Sequence, residues 1–317
     1  MSSNPFSNNQ LTPESWWKRR AGCAKALMAG SFVNGMGSMQ GVDPRLAAAL
    51  GDILSRPGSL VRAVTAYLVG IEMGVAEEAA RAVACGIEYL HTASLVFDDL
   101  PAMDDARTRR GAPCPHVVHG EAVAMLAALA IINRGYAMIW QGIRSASPAR
   151  RERAGDWVDA RLGPRGVIGG QAFDLRGWRG EQSAAEVSEV AARKTGDLLR
   201  LTLVLPAIIG RGTDREIQLL DRIGMLRGLA YQAADDLKDV LCPEDESGKT
   251  GGRDAELGRP NLILAEGFQA TLRRFKRLRQ TGDRVQAKLP GGDERWGMLA
   301  PLRVTLPTTP QMVMVAV

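Results

Sequence analysis

The spacing of apolar residues along this chain predicts helices over most of its length. Ala, Leu, Val and Ile recur at intervals of three and four residues, the repeat of one helix face, whereas the alternating runs typical of strands are scarce. The pattern predicts helices over residues 13–30, 46–54, 59–74, 77–97, 121–143, 151–162, 184–210 and 214–241. We therefore expect an all-α fold.

Local signals support two of the predicted helix starts. Ser183 stands three residues before Glu186, which is the spacing of a capping box. Thr213 precedes Asp214 and follows a glycine stop at Gly210, so it indicates another start.

The breaks between the helices contain Gly or Pro, and none reads as a long linker between domains. They fall at residues 55–58, 100–115, 163–170 and 242–260. We expect a flexible tail over residues 1–13 and one helical domain over residues 14–280. Residues 281–317 form a C-terminal extension of uncertain structure, because Pro290 and Pro307 interrupt any helix there.

The composition is that of an ordinary globular protein. Of the 317 residues, 45% are hydrophobic and 24% are charged, which argues against a disordered, collagen-like or disulfide-stapled chain. The net charge of +5 comes from 40 Lys and Arg against 35 Asp and Glu. Because the basic residues are spread without an aromatic-interleaved patch, we expect no nucleic-acid binding.

Several features predict a cytoplasmic protein. The first residues are polar and lack the basic-then-apolar order of a signal peptide. The apolar stretch at residues 122–133 is shorter than the roughly 20 residues that a spanning helix needs, so we expect no transmembrane segment. The cysteines are far apart without a C-x-x-C pair, and we expect reduced thiols at Cys23, Cys85, Cys114 and Cys242.

Two clusters of aspartates stand in otherwise apolar surroundings. They are Asp98, Asp99, Asp104 and Asp105 in the first cluster, and Asp235, Asp236 and Asp239 in the second. Each lies near the C-terminal end of a predicted helix, where the helix dipole disfavours anions, and Asp235 and Asp239 share one helix face. Pro101 ends or bends the first helix, so we expect Asp104 to return toward Asp98.

Neighbouring carboxylates of this kind need a cation, because like charges about 4 Å apart repel by roughly 4 kcal/mol at an effective dielectric constant of 20. Carboxylate oxygens without His or Cys suit Mg²⁺, which is commonly completed by phosphate oxygens of a substrate. Basic residues follow both clusters, at residues 107–110 and at Lys249 and Arg253. The pattern predicts a diphosphate that binds together with Mg²⁺.

These residues resemble a trans-isoprenyl diphosphate synthase, most of all the bacterial geranylgeranyl diphosphate synthases of carotenoid pathways. The matching strings, in the family's order, are DDLPAMDDARTRRG at 98–111, GGQAFDL at 169–175, KTG at 194–196 and YQAADDLKD at 231–239. The resemblance covers roughly residues 45–270. It implies an isoprenoid-synthase-type bundle of long antiparallel helices around a central apolar cavity, usually a homodimer.

The resemblance also implies roles for individual residues. The residues expected to bind three Mg²⁺ are Asp98, Asp99, Asp104, Asp235, Asp236 and Asp239. Those that match contacts to an allylic diphosphate are Arg109, Lys194, Gln232 and Lys249, and those that match the isopentenyl diphosphate site are Arg62, His91 and Arg110. The expected catalytic residues are Lys194, which stabilises the departing diphosphate, and Thr195 and Gln232, which help stabilise the carbocation.

The implied reaction is head-to-tail, trans condensation of isopentenyl diphosphate with an allylic diphosphate, and the expected product is geranylgeranyl diphosphate (C20). Ala93 and Ser94, five and four residues before Asp98, are small, whereas a bulky side chain there would close the pocket for the tail. One helical turn rises about 5.4 Å, comparable to one five-carbon unit. The Pro101–Ala102 insertion in the first motif also favours C20 over C15 in the family pattern.

One part of the family pattern is missing. Ser59 and Leu60 stand where relatives carry a Lys and an Arg for isopentenyl diphosphate, so only Arg62 remains. A class I terpene cyclase-like enzyme is therefore one alternative, since it needs no second diphosphate site. A non-catalytic regulatory subunit of a heteromeric prenyl diphosphate synthase is another. The basic pair Arg109–Arg110 and the DDLKD form of the second cluster favour the synthase.

Overall fold

The computed structural model describes residues 13–176, 182–241 and 258–306, and most of these residues are helical. The helices are α1 (Pro13–Asn34), α2 (Pro44–Leu54), α3 (Val61–Glu72), α4 (Glu77–Asp98), α5 (Pro115–His119), α6 (Glu121–Ile143), α7 (Pro148–Leu162), α8 (Val167–Leu175), α9 (Ala184–Ala191), α10 (Asp197–Ile209), α11 (Asp214–Leu241), α12 (Leu262–Glu266), α13 (Phe268–Gln286) and α14 (Gly292–Trp296). A π-helical turn (Ala192–Gly196) joins α9 to α10, and a 3₁₀ turn (Gly297–Leu302) follows α14. Strands β1 (Thr108–Arg109) and β2 (Ala112–Pro113) form a small antiparallel hairpin.

The prediction of an all-α fold is confirmed, and so are the two predicted helix starts. At α9, Ser183 Oγ accepts the backbone N–H of Glu186, and the Glu186 carboxylate accepts the N–H of Ser183. Thr213 and Glu216 make the same reciprocal pair of hydrogen bonds at the start of α11. Both caps satisfy N–H groups that the first turn of a helix leaves without a partner.

Helices α12, α13 and α14 lie beyond the last predicted helix, and the β-hairpin lies in a predicted break. Two further segments also differ from the prediction. Residues 163–170 were expected to be a break, yet α8 begins at Val167. Its glycines serve close packing, because a Cβ on Gly170 would lie 2.4 Å from the backbone N of Lys194. The predicted helix over residues 184–210 is interrupted by the π-helical turn, which carries Lys194 and Thr195. Such turns are often found at functional sites.

Helices α4 and α6 form the central pair of the core. Their backbones approach closely at Gly86 and Gly135, where a Cβ on Gly86 would lie 2.6 Å from the carbonyl O of Gly135. On another face of α4, the buried Tyr89 hydroxyl donates to the carbonyl O of Phe32 in α1, at 2.7 Å. A second apolar cluster joins α11 to α13, with Phe275 packed among small residues of α11.

The C-terminal part of the described chain joins the core. Helix α13 continues to Gln286, and Trp296 in α14 is fully buried. Arg295 pairs with Glu72 of α3 at 2.8 Å and with Glu216 of α11 at 2.7 Å, so it links three helices. The domain boundaries at residues 13 and 280 stay predictions. Cys23, Cys85 and Cys114 are free thiols, while Cys242 lies outside the described residues.

Helix α6 is longer than the apolar stretch on which the membrane prediction rested. That stretch ends at Asn133, but the helix runs to Ile143, and it alone among the described helices is long and apolar enough to cross a membrane. In its most apolar window, 39% of the residues are buried inside the protein. The absence of a transmembrane segment therefore stays a prediction. The large apolar side chains that α6 exposes are Met125, Leu126, Leu129 and Trp140.

Candidate active site

The first aspartate cluster lies where α4 ends. The helix stops at Asp98, and the chain then turns back so that the backbone N–H of Asp104 donates to the carbonyl O of Asp98 at 2.9 Å. This return confirms the prediction made from Pro101, which cannot continue the helix in regular form. The turn brings the carboxylates of Asp98 and Asp104 to the same end of α4.

Asp99 is held by an arginine of the β-hairpin. Its side chain is almost fully buried, and Arg109 Nε lies 2.8 Å from Oδ1 and 2.7 Å from Oδ2. The next residue, Arg110, adopts a left-handed backbone conformation with φ of 54°. This is uncommon for a residue with a side chain and typical of functional loops. The hairpin thus places Arg109 beside the first cluster.

Asp104 is held by a residue that the sequence did not single out. Arg259 Nη2 donates to Asp104 Oδ1 at 2.7 Å and to the carbonyl O of Met103 at 2.9 Å. Its Nη1 donates to the carbonyl O of Asp174 in α8 at 3.3 Å. Arg259 is nearly buried and joins the first cluster to α8. Neither its spacing nor its neighbours in the sequence signalled this position.

Asp98 has an unusual ionisation. Burial raises its pKa to about 6, and the neighbouring carboxylate of Asp104 acts in the same direction, whereas Lys194 and Arg109 lower it. Removing a carboxylate from water disfavours its charged form unless cations compensate. The compensation is incomplete here, so this carboxylate has unused capacity for a further cation.

The second cluster lies on α11. Asp236 is fully buried, and its oxygens accept hydrogen bonds from Gln232 Nε2 at 2.9 Å and from the backbone N–H of Leu262 at 2.8 Å. Asp235 is half-buried and Asp239 is exposed. Gln232 also accepts from Thr195 Oγ1 at 3.4 Å, which ties α11 to the π-helical turn.

The π-helical turn connects the two clusters. Lys194 Nζ donates to Asp174 Oδ2 at 2.6 Å. Burial alone would lower the pKa of Lys194, but Asp174, Asp98 and Asp104 outweigh it, and the net shift is upward. The lysine is therefore charged near pH 7. Asp174 lies within the GGQAFDL string, but the sequence indicates no role for it, and its pairing with Lys194 appears only in the folded chain.

A third group of basic residues lies between α3 and α4. Arg62 Nη1 is 3.0 Å from His91 Nε2, and Glu88 Oε2 accepts the backbone N–H of Ala63 at 3.0 Å. Burial together with the cations Arg62 and Arg110 holds the pKa of His91 well below its ordinary value, so the ring is neutral near pH 7. Glu88, also missed from the sequence, lies beside Arg62; burial raises its pKa, while the charge of Arg62 and the hydrogen bond from Ala63 oppose the shift.

Ser59 and Leu60, which stand where relatives carry a Lys and an Arg, have defined positions in the structure. Leu60 is buried in the core with a left-handed φ of 56°, and Ser59 is exposed. A Cβ on Gly58 would lie 2.1 Å from Arg110 Nη1, so the glycine leaves room for that arginine. The structure thus brings Arg62, His91 and Arg110 together, while Arg56 of this loop pairs with Asp52.

The donor chemistry of the two clusters fits Mg²⁺, since it consists of carboxylate oxygens with cations suited to a diphosphate beside them. Across the described ranges, no three His, Cys, Asp or Glu side chains already converge as a metal site. Asp99, Asp104 and Asp236 instead face Arg109, Arg259 and the N–H of Leu262. Binding of a metal requires some of these contacts to open. Lys249 lies outside the described residues.

Comparisons with known proteins identify the family to which this chain is similar. The family model for polyprenyl synthetase matches residues 43–288. Geranylgeranyl pyrophosphate synthase 7, chloroplastic, of Arabidopsis thaliana is 38% identical over 215 residues, which are 66% of this chain and 62% of that protein. Geranylgeranyl pyrophosphate synthase, chloroplastic, of Capsicum annuum is 35% identical over 209 residues, 64% of this chain and 57% of that protein. The chain spans about three fifths of the length of these relatives.

Solved structures share the fold. A geranyltransferase from Helicobacter pylori, complexed with magnesium and isoprenyl diphosphate, superposes with a TM-score of 0.77 at 21% identity, covering 95% of this chain and 97% of that chain. A geranyltranstransferase from Thermotoga maritima gives a TM-score of 0.72 at 24% identity, covering 93% and 99%. The predicted isoprenoid-synthase-type fold is confirmed, and with the family match over residues 43–288 the chain belongs to the polyprenyl synthetase family.

Proposed function

We propose that this protein is a Mg²⁺-dependent prenyltransferase that condenses isopentenyl diphosphate with an allylic diphosphate, head to tail and in the trans configuration. The observation that carries the proposal is the presence of two separate basic groups beside the aspartates. One contains Arg109 and Lys194, beside the first cluster, and the other contains Arg62 and Arg110. Two anion-binding groups suit two diphosphate substrates.

The residues divide by substrate. Arg109, Lys194 and Gln232 bind the allylic diphosphate, and Lys249 completes this set. Arg62, His91 and Arg110 bind isopentenyl diphosphate. Mg²⁺ bound by Asp98, Asp99, Asp104, Asp235, Asp236 and Asp239 supplies charge neutralisation for the leaving diphosphate. Three ions in each site are part of the proposal.

The charge arrangement explains the reaction. The C1–O bond of the allylic substrate breaks, and its electron pair leaves with the diphosphate, which Lys194 and Arg109 stabilise as its charge grows. The Thr195 hydroxyl and the Gln232 side-chain oxygen face the carbocation. The double bond of isopentenyl diphosphate attacks C1 and forms a new C–C bond, which leaves a cation at C3 of the former isopentenyl unit. A proton from the neighbouring C2 passes to the departing diphosphate, and its electron pair forms the new double bond. Water must be excluded, because it would trap the cation as an alcohol.

The expected end product is geranylgeranyl diphosphate. Ser94 is half-buried one turn before Asp98, and its hydroxyl donates to the carbonyl O of His91 at 2.8 Å, so it adds little bulk beside the cluster. Ala93 is fully buried in the core. The similarity to the geranylgeranyl pyrophosphate synthases named above also supports a C20 product.

One assay distinguishes this function from its alternatives. Purified protein is incubated with Mg²⁺, isopentenyl diphosphate and each of the C5, C10 and C15 allylic diphosphates, and products are identified by mass spectrometry. Elongation that ends at C20 supports the proposal. A cyclised hydrocarbon formed from an allylic substrate alone identifies a terpene cyclase. Inertness in every combination favours a regulatory subunit. Asp98→Ala and Asp235→Ala should each abolish turnover, and the metal assignment is wrong if either variant keeps full activity.

We also propose that the protein is a homodimer that pairs through α6. The exposed side chain of Leu129 follows those of Met125 and Leu126 by four and three residues, so the three form one apolar stripe on a helix whose other face packs on α4. In a two-fold dimer the same surface of both copies meets, so this apolar stripe packs against the same stripe of a second copy. Light scattering after gel filtration should show a dimer. Leu126→Asp with Leu129→Asp should give a monomer, whereas Leu264→Asp, on the exposed surface of α12, should not.

The remaining predictions concern location and partners. The cytoplasmic location, the absence of a transmembrane segment and the absence of nucleic-acid binding rest on the sequence. Fractionation of cells that express the tagged chain tests the first two, because a spanning helix requires detergent for extraction whereas a peripheral protein is released by salt.

A further inference from the structure

Helix α13 carries a strongly basic face that the proposed reaction does not use. Its exposed basic residues are Arg273, Lys276, Arg277, Arg279 and Arg284, and Lys288 follows just beyond its end. Its single acid, Asp283, faces Arg303 at 3.1 Å. One sign of charge therefore dominates the outer surface of this helix.

The basic residues are arranged as a stripe. Arg273, Arg277 and Arg284 follow one another at intervals of four and seven residues, which keeps them on one helix face, and Lys288 follows four residues later, just beyond the helix end. From Arg273 to Arg284 the helix rises about 17 Å. The opposite face is fixed, because Phe275 and Val285 are buried against the protein. The stripe is therefore held outward along its full length.

Within the described parts of the chain, no carboxylate pairs with Arg273, Lys276, Arg277, Arg279, Arg284 or Lys288. Arg274 differs from them, since its Nε and Nη2 each lie 2.7 Å from a carboxylate oxygen of Glu266. An open groove of about 350 Å³ is lined by Glu266, Ala270, Arg273, Arg274 and Arg277. Its one acid is thus neutralised by Arg274, and two further guanidinium groups remain at the groove for an anion.

The features of the stripe favour a lipid surface over a nucleic acid. Proteins that bind single strands combine positive charge with exposed aromatic rings on which bases stack. On α13, Phe275 is buried and Phe268 is half-buried, and the stripe contains no exposed aromatic side chain. Four to eight Lys and Arg on one face of an amphipathic helix are instead typical of binding to anionic phospholipids. A groove with two guanidinium groups also suits a headgroup phosphate.

We propose that the basic face of α13 docks this protein on bilayers rich in anionic phospholipids, with a headgroup phosphate bound between Arg273 and Arg277. Docking of this kind is peripheral and sensitive to salt. It does not depend on the proposed prenyltransferase activity, which uses the opposite side of α11.

The test uses the full-length protein and vesicles of defined composition. Flotation is measured with phosphatidylcholine alone and with about 30% phosphatidylglycerol, in about 50 mM and about 500 mM NaCl. We expect binding to the anionic vesicles at low salt only. The variant Arg273→Gln/Arg277→Gln/Arg284→Gln/Lys288→Gln should bind at least tenfold more weakly, since each basic residue near such a surface contributes about 1 kcal/mol.

A matched variant controls for total charge. Arg19→Gln/Lys25→Gln/Arg151→Gln/Arg215→Gln removes the same four charges from exposed positions on α1, α7 and α11. It should bind anionic vesicles within about twofold of the parent protein. Thermal melts establish that both variants are folded, and the pair Arg277→Gln/Arg284→Gln replaces the fourfold variant if that one is unstable.

Three results overturn the proposal. Equal losses in the fourfold variant and its control would mean that net charge alone acts. Equal binding to neutral and anionic vesicles would exclude the basic stripe as the surface that binds the bilayer. Binding to labelled single- or double-stranded DNA that depends on the stripe, without binding to vesicles, would identify a nucleic-acid surface instead.

Discussion

Arg259 donates to the carboxylate of Asp104 at 2.7 Å, across 155 residues of sequence. The pair connects the loop after α4 with the segment that leads into α12. Arg259 also donates to the backbone carbonyl groups of Met103 and Asp174. One guanidinium group therefore fixes the position of an expected metal ligand relative to α8.

The first prediction concerns this arginine. Arg259→Met removes the cation beside Asp104 and leaves two carbonyl groups without their donor, so we expect kcat/KM for the allylic substrate to fall at least tenfold, about 1.4 kcal/mol or more. Arg259→Lys keeps the charge but loses the forked geometry of the guanidinium group, and we expect a kcat/KM between those of the parent protein and Arg259→Met. Steady-state kinetics over a range of Mg²⁺ concentrations measure both. Arg303→Gln, a change at a more exposed ion pair, serves as control, and full activity in Arg259→Met would contradict the prediction.

The second prediction concerns Glu88. Glu88→Gln keeps an acceptor for the N–H of Ala63 but removes the negative charge beside Arg62, and we expect the free energy of unfolding to fall by about 1–3 kcal/mol. Glu88→Ala also removes the acceptor and should cost about 3–5 kcal/mol. Pyrophosphate supplies negative charge to the same basic group, so it should raise the Tm of Glu88→Gln more than that of the parent protein. Glu78→Gln, exposed on the same helix, should show neither effect. Equal pyrophosphate shifts in all variants would exclude this role for Glu88.

The third prediction concerns product length. Ser94→Phe introduces bulk one turn before Asp98, and we expect the main product to shorten from C20 to C15, with Ser94→Ala unchanged. Ala93→Phe inserts a ring into a fully buried position, so we expect a loss of about 1–3 kcal/mol in stability. Mass spectrometry of the products and denaturant unfolding separate the two effects. An unchanged C20 product in a folded Ser94→Phe variant would show that the tail does not pass this residue.

The fourth prediction concerns stability against pH. Burial raises the pKa of Glu216, but hydrogen bonds from Thr213 and Arg295 outweigh it, and the pKa lies below its ordinary value of 4.5. Stability from this carboxylate is therefore present above pH 4.5 and is lost as the pH falls through the lowered pKa. Glu216→Gln should destabilise the protein by about 1–3 kcal/mol near pH 7, and less near pH 3.5.

Denaturant unfolding at both pH values measures this difference. Because Arg295 bonds to the same carboxylate, Glu216→Gln and Arg295→Met should be non-additive when combined. Glu152→Gln, on the exposed surface of α7, should cost little at either pH. If Glu216→Gln lowers the free energy of unfolding equally at both pH values, the lowered pKa of Glu216 is contradicted.

Local interactions explain what could be predicted about the fold. The caps at Ser183 and Thr213 join residues three positions apart, and the return of Asp104 toward Asp98 follows from a proline between them. The apolar periodicity placed most helices for the same reason, since a buried face imposes its repeat on the sequence. Helix α8 was missed because its glycines, which read as a break, serve a close contact with residues of the π-helical turn.

The sequence by itself determined the helical fold, the family and the two aspartate clusters, because these are expressed in residue types at short and regular spacing. Only the tertiary structure decided which charges meet. Arg259 with Asp104, Lys194 with Asp174 and Glu88 with the N–H of Ala63 join residues that lie 20 to 155 positions apart. A buried charge needs a partner in space, and the chain places no constraint on where in the sequence that partner stands.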